Sequence, residues 1–460
     1  MLNIKKIRAY YNTYYQDLKA TFKLSYPIVI GQIGVTLMGF IDTVMVGRFS
    51  TTALAASAVA NAIFFILTVL GLGIVSIITP LVAASHSKDK KETCGAILSA
   101  GVRIAIFTGI IFIGIAYLLV EFFYIFDQPK DVVPLATEYL IIITFSAVPM
   151  LLFRAFKHFA EGLSETKPAM YVTYASVVVN FFLNWILIYG KLGLPALGLA
   201  GAGYATLLTR VIMAVGLFVY IFRHARFQPF LTKFSWWKNA KVQMNEILKK
   251  GLPAGFQMFF EVSAFAGTAV MMGWLGKIPQ AAHQIAINLA SITYMAATGF
   301  SIAGSIRVGN AYGEKNPKQI FRAGTAALVL GFAFMFICCL AFIIFNYPLV
   351  RLYNSNPAVI QIATTLVIIA GFFQLSDGVQ VISLGALRGI GDVNIPTIIT
   401  LFSYWIVALP VGYLLCFFFE WGAKGMWVGL LLGLTFSAIL LTLRFYWLVY
   451  ANRKQEQVKV

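Results

Sequence analysis

The chain has 460 residues, 60% of them hydrophobic and only 11% charged, with a formal net charge of +18. Soluble proteins carry about 25% charged residues, so this composition excludes an ordinary water-soluble domain. Apolar runs long enough to cross roughly 30 Å of hydrocarbon recur from end to end and point to a polytopic membrane protein.

Twelve hydrophobic helices are predicted, at 22–46, 56–83, 96–122, 134–158, 168–190, 199–222, 250–274, 280–306, 321–346, 358–385, 395–418 and 425–449. The first apolar run begins at Leu24 and shows no small-residue cleavage site, unlike a secretory signal. In it, "LMGFIDTVMVG" (37–47) holds one carboxylate, Asp42, five residues from the outer end. An ionised Asp at the centre of a membrane helix costs roughly 2.5–3.5 kcal/mol on insertion scales. The third helix contains Arg103. The fifth reads "VVVNFFLNWIL", with Asn180 and Asn184 at i, i+4 on one face and Asn184 at the depth of Asp42. The sixth opens on "GLAGAGYAT" (198–206), where no strand precedes the glycines; they are read as close-packing positions rather than a dinucleotide loop. Arg210 lies well inside the same helix.

The connection 226–249 mixes Trp236, Trp237, Ile247 and Leu248 with lysines and reads as an amphipathic segment on the inner membrane surface. Glu261 lies ten residues into the seventh helix, and Asp377 about ten from the end of the tenth. At about 1.5 Å per residue both are roughly 15 Å deep, near the midplane. Tyr294, on the eighth helix, falls within about one turn of that level.

Cations cluster in alternate loops. Lys5, Lys6, Arg8, Lys19 and Lys23 precede the first span, Lys88, Lys90 and Lys91 follow the second, and Arg226, Lys233, Lys238 and Lys241 follow the sixth. The intervening loops carry single cations: Arg48, Lys130, Lys191, Lys277, Arg351 and Lys424. This positive-inside pattern places both termini in the cytoplasm and accounts for the net charge without nucleic acid. The halves also repeat. A shift of 226 residues lays Pro27 on Pro253, "TVMVG" (43–47) on "AVMMG" (269–273) and Gly73 on Gly299. Each half has six crossings, so the repeats are parallel, with a cleft expected between an N-lobe (1–225) and a C-lobe (250–460) joined by the linker 226–249.

Of the 17 acidic residues nearly all sit in loops or at helix ends; Asp42, Glu261 and Asp377 do not, and no lysine or arginine is assigned near them in depth, with Arg210 left as a candidate partner for an acid. Intramembrane polar groups also serve as interhelical glue, worth about 0.6 kcal/mol each. A buried carboxylate without a fixed cation can instead hold a proton or recruit a metal ion, and two at one site favour one shared cation. The four cysteines show no metal or redox spacing, and His86, His158, His224 and His283 have no metal-ligand company.

"GFIDTVMVGR", "GLPAGFQMFFEVSAF" and "QLSDGVQVISLGALRGIGD", with "FAEGLSETKP" as the first-half counterpart of "ALRGIGD", resemble the NorM-like branch of the multidrug and toxic compound extrusion (MATE) transporters. The resemblance spans nearly the whole chain. It implies an all-α membrane fold of twelve helices in two parallel six-helix repeats, and export of organic, mainly cationic, drugs across a bacterial inner membrane. It implies Glu261, Asp377 and Tyr294 as the C-lobe coupling site, with Na+ or H+ as the coupling ion and no resident cofactor. Glu261 and Asp377 would ligate Na+ if that is the ion. It further implies an N-lobe polar site of Asp42, Asn180, Asn184 and Thr206. Some relatives have Tyr where this chain has Phe373, which removes one potential oxygen ligand. The chain is expected to work as a monomer in the bilayer and not as an enzyme. The rival reading is a lipid-linked oligosaccharide flippase of the same superfamily, which would line its cavity with several arginines.

Overall fold

The computed structural model of the chain describes residues 2–121, 131–232, 234–235 and 240–457, with side chains over 12–120, 131–232, 234–235 and 240–451. Lys130, Lys233, Trp236, Trp237 and Lys238 lie outside the described residues. The elements in order are α1 (Leu2–Phe49), α2 (Thr51–Ser76), α3 (Ile78–His86), α4 (Lys91–Glu121), α5 (Val132–Phe145), α6 (Ala147–Gly162), α7 (Lys167–Tyr189), α8 (Gly198–Arg223) and α9 (Gln228–Leu231). They continue with α10 (Lys241–Trp274), α11 (Lys277–Gly313), α12 (Pro317–Ile344), α13 (Asn346–Arg351), α14 (Pro357–Ile390), α15 (Asn394–Leu401), α16 (Leu409–Tyr413) and α17 (Ala423–Gln457). Two π-helical stretches, Phe402–Ala408 and Leu414–Phe418, run α15 and α16 into one apolar rod. Among the described residues there is no strand.

Eleven rods among the described residues are long and apolar enough to cross a membrane. The twelfth long helix is α10, whose apolar half carries Gln257 and Glu261. Large apolar side chains such as Phe107, Ile110, Ile111 and Leu118 stand exposed, as lipid-facing residues must. The helices outlast their apolar runs. α1 begins at Leu2 rather than 22, α6 runs to Gly162 and α14 to Ile390. From Lys241 onward, the segment predicted as surface linker forms the first turns of α10.

By packing, the described chain forms two units, Ile30–Gly255 and Met1–Val29 with Phe256–Val460. The boundaries fall inside α1 and α10, two or three residues after Pro27 and Pro253. Glycines make the packing beside each boundary possible. In the first unit a Cβ on Gly73 of α2 would collide with Gly255 of α10, and one on Gly255 would stand 2.6 Å from the Leu70 carbonyl oxygen. In the second unit a Cβ on Gly299 of α11 would collide with Val29 of α1. Gly73 and Gly299, and likewise Val29 and Gly255, are related by the 226-residue repeat, so one contact is built twice.

Candidate functional site

Asp42 is the centre of the polar site in the unit 30–255. Its Oδ1 accepts from Asn184 Nδ2 at 2.5 Å, and its Oδ2 from Thr206 Oγ1 at 3.3 Å. Asn184 also donates to Asn180 Oδ1 at 3.2 Å, and both amides are buried. The i, i+4 spacing on α7 aims the two amides together at α1. Thus the four residues Asp42, Asn180, Asn184 and Thr206 are brought to one place. Asp42, Asn180 and Thr206 open on a cavity of about 310 Å³, which Asn61, Tyr139, Arg154 and Arg210 also line.

Arg210, named from the sequence as a candidate partner for an acid, lines the same cavity as Asp42, and Arg154, which the sequence reading did not single out, joins it. Arg210 Nη1 donates to Ser146 Oγ at 2.5 Å, and its guanidinium lies 4.9 Å above the Phe64 ring. Ser146 is where α5 stops and α6 begins, so the break in that rod supplies the acceptor. Arg103 is held by Ser99 Oγ at 3.2 Å and the Ser235 carbonyl at 3.3 Å.

The second polar site lies in the other unit. Glu261 Oε1 accepts from the Tyr294 hydroxyl at 3.3 Å and Oε2 from Gln257 Nε2 at 3.1 Å. Asp377, 4% exposed, sits within the electrostatic reach of Glu261. The Tyr294 and Tyr404 hydroxyls lie in the field of both acids. Gln374, Asp377 and Gln380 follow at three-residue intervals along α14; Gln380 donates to the Tyr404 hydroxyl at 2.9 Å. Both amide atoms of Gln374 and Oε1 of Gln380 are buried without a hydrogen-bond partner. Buried polar atoms of that kind call for an explanation. Here too a cation reaches one of the acids: Arg388 Nη2 donates to Gln257 Oε1, so Gln257 bridges the guanidinium to Glu261. Phe373 fills an aromatic cluster, its ring 6.0 Å from Phe265 and 5.7 Å from Trp427.

Sequence reasoning missed two further acids. Asp17, buried about four turns into α1, accepts from Arg307 Nη2 and Arg322 Nε, both at 2.6 Å. Glu161 closes a buried cluster with Lys157 Nζ at 3.7 Å and His158 Nδ1 at 3.1 Å, while Lys157 donates to Gln32 at 3.1 Å. Both acids lie where helices continue past the apolar runs. No group of three or more metal-ligating side chains of the His, Cys, Asp and Glu type occurs among the described residues.

A model of the MatE family matches the chain twice, over residues 27–186 and 253–414. The matches start at Pro27 and Pro253, the same offset by which the sequence repeats. This chain belongs to the MatE family. Full-length relatives agree with the MatE assignment. The chain is 36% identical over 442 residues to the multidrug resistance protein NorM of Aliivibrio fischeri, covering 95% of each. It is 31% identical over 443 residues to the multidrug resistance protein MdtK of Edwardsiella ictaluri, covering 95% of this chain and 96% of that one. A crystal structure of MATE in the straight conformation superposes with a TM-score of 0.88, covering 95% of this chain and 97% of the other at 20% identity. The all-α, duplicated MatE fold is therefore the fold of this protein.

Proposed function

We propose that this MatE protein is a cation-coupled antiporter that exports organic, mainly cationic, drugs across a bacterial inner membrane, with both termini in the cytoplasm. The observation that carries the reading is the pair of buried carboxylates Glu261 and Asp377, of which only Glu261 is reached by a guanidinium, Arg388, through Gln257. With both acids ionised, Arg388 balances one charge and leaves one negative charge in an apolar core. One monovalent cation, Na+ or H+, completes that balance. Oxygens stand ready for it on Glu261, Asp377, Tyr294 and Gln374.

Asp42 and its amides supply the second half of the exchange. A drug cation in the 310 Å³ cavity would meet one carboxylate and an aromatic wall that includes Tyr139. Arg210 does not compete on equal terms, because Ser146 and the Phe64 face already hold its guanidinium. The names of the relatives, multidrug resistance proteins, support drug export over the flippase reading. Drug uptake into inverted membrane vesicles, with sodium and proton gradients imposed separately, tests the proposal. One gradient or both should drive uptake above the level seen without a gradient; no response to either would overturn it.

A further inference from the structure

The outer half of α1 has two working faces. Val35, Met38, Asp42 and Val46 line the polar cavity, while Phe40, Ile41, Val44, Met45 and Arg48 line a separate groove of about 430 Å³. The far wall of the groove is Phe181, Trp185, Tyr189 and Lys191 of α7 and its C-cap turn. Phe40 is 63% exposed, so the groove is open along its length. Its geometry is fixed by the Tyr189 hydroxyl, which donates to the Met45 carbonyl at 2.8 Å, and by the Phe49–Tyr189 ring contact at 6.4 Å.

The charge of this groove is one-sided. Arg48 and Lys191 are the lone cations of their respective loops, they come together at one mouth, and no carboxylate lines the groove. Neither forms an ion pair among the described residues. The second repeat does not build the feature: Trp274 stands 226 residues after Arg48, and with the shift of 224 that aligns Gly198 with Gly422, Leu415 answers Lys191 and Tyr413 answers Tyr189. An aromatic slot with two cations at one end fits a molecule with an apolar chain and an anionic head. It repels the organic cations the protein exports.

We propose that this groove binds one anionic phospholipid of the outer leaflet, its acyl chain along Phe40, Phe181 and Trp185 and its phosphodiester between Arg48 and Lys191. Placing it in the outer leaflet rests on the proposed membrane orientation. Two cations at a membrane surface favour an anionic head by roughly fivefold each, about twenty-fivefold together.

Purified protein in proteoliposomes is irradiated with phosphatidylglycerol carrying a diazirine on one acyl chain, and the labelled peptides are mapped. Label should fall on the segments 40–48 and 181–191, about tenfold or more above that from the same probe with a phosphatidylcholine head. Arg48→Gln with Lys191→Gln should remove that preference, whereas Lys277→Gln with Lys424→Gln should leave it intact; inorganic phosphate should not displace the label. Equal labelling by both lipids, labelling unchanged in the Arg48/Lys191 double variant, or displacement by phosphate would overturn the proposal. Lys191→Cys, probed in intact cells with a membrane-impermeant thiol reagent, reports the orientation separately. Protection there would overturn the leaflet and leave the phosphatidylglycerol comparison to judge the groove.

Discussion

Under the proposed function Glu261 and Asp377 carry the coupling chemistry, and each contributes what the other cannot. Glu261 is already held by Tyr294 and by the Gln257–Arg388 bridge, so it is positioned; Asp377 adds the second charge that calls for a cation. Glu261→Gln and Asp377→Asn are each expected to abolish gradient-driven efflux while the protein still inserts and binds drug, measured in proteoliposomes. Asp42→Asn should instead weaken drug binding, by about tenfold if one buried charge–charge contact worth roughly 1.4 kcal/mol is lost, with ion binding retained. If ion affinity collapsed in Asp42→Asn while drug binding held, the roles of the two sites would be exchanged. A third residue tests structure rather than transport. Asp17 is buried between two arginines, and removing one partner of such a network costs about 3 kcal/mol or more. Asp17→Ala should therefore lower the melting temperature in detergent well below that of Glu246→Ala, whose i, i+4 pair with Lys250 is more exposed than the Asp17 pairs. The three intramembrane acids were legible because a charge in an apolar run stands out. Arg388 and Glu161 were not, because counting apolar residues ends a helix near its first charge, whereas hydrogen bonding carries α14 and α6 onward past it. Asn61, Gln374 and Tyr404 gave no signal: a neutral polar residue within a helix is informative only once its neighbours across the bundle are known.

The helices themselves were largely readable, since roughly twenty apolar residues admit few alternatives to a spanning helix. The break at Ser146 was hidden, because its two halves share one hydrophobic run. The exchange of helix halves was hidden for another reason: α1 and α10 change packing partners in mid-helix, and periodicity carries no record of partners. Glycine does carry one. At Gly73 the atom in the way of a Cβ is backbone of α10, which has nowhere to move, whereas at Gly331 it is the far end of the Ile382 side chain, which can rotate aside. Gly73→Ala is thus expected to cost about 1–3 kcal/mol of stability, the usual range for overpacking a tight interface, and Gly331→Ala distinctly less. Thermal unfolding of the two variants in one detergent decides it; equal losses would mean that the α2–α10 contact is looser than its geometry implies.

For the whole molecule, the duplicated architecture and the mid-helix boundaries bear on how access alternates. If the two units move as rigid bodies, α1 and α10 must absorb the motion where they pass from one unit to the other, at residues 29/30 and 255/256. Pro27 and Pro253 lie within one turn of those points. Each lacks the amide hydrogen that would bond the preceding turn, so bending there breaks less than it would elsewhere. Under the proposed function a cation reaching Glu261 and Asp377 would neutralise their repulsion and favour the state that releases drug outward, and its departure inward would reset the carrier. We therefore expect cysteines at Arg48 and Lys277, at the ends of α1 and α11 that the proposed orientation places outside, to crosslink to different extents in ion-free and ion-loaded protein. The background would carry alanine at Cys94, Cys338, Cys339 and Cys416. Replacing both prolines by alanine stiffens the crossing points and should slow the exchange between the two crosslinking patterns without removing the ion effect at equilibrium. Identical crosslinking with and without the ion would exclude ion-gated rocking, and an ion effect with unchanged kinetics in the double proline variant would place the hinge elsewhere.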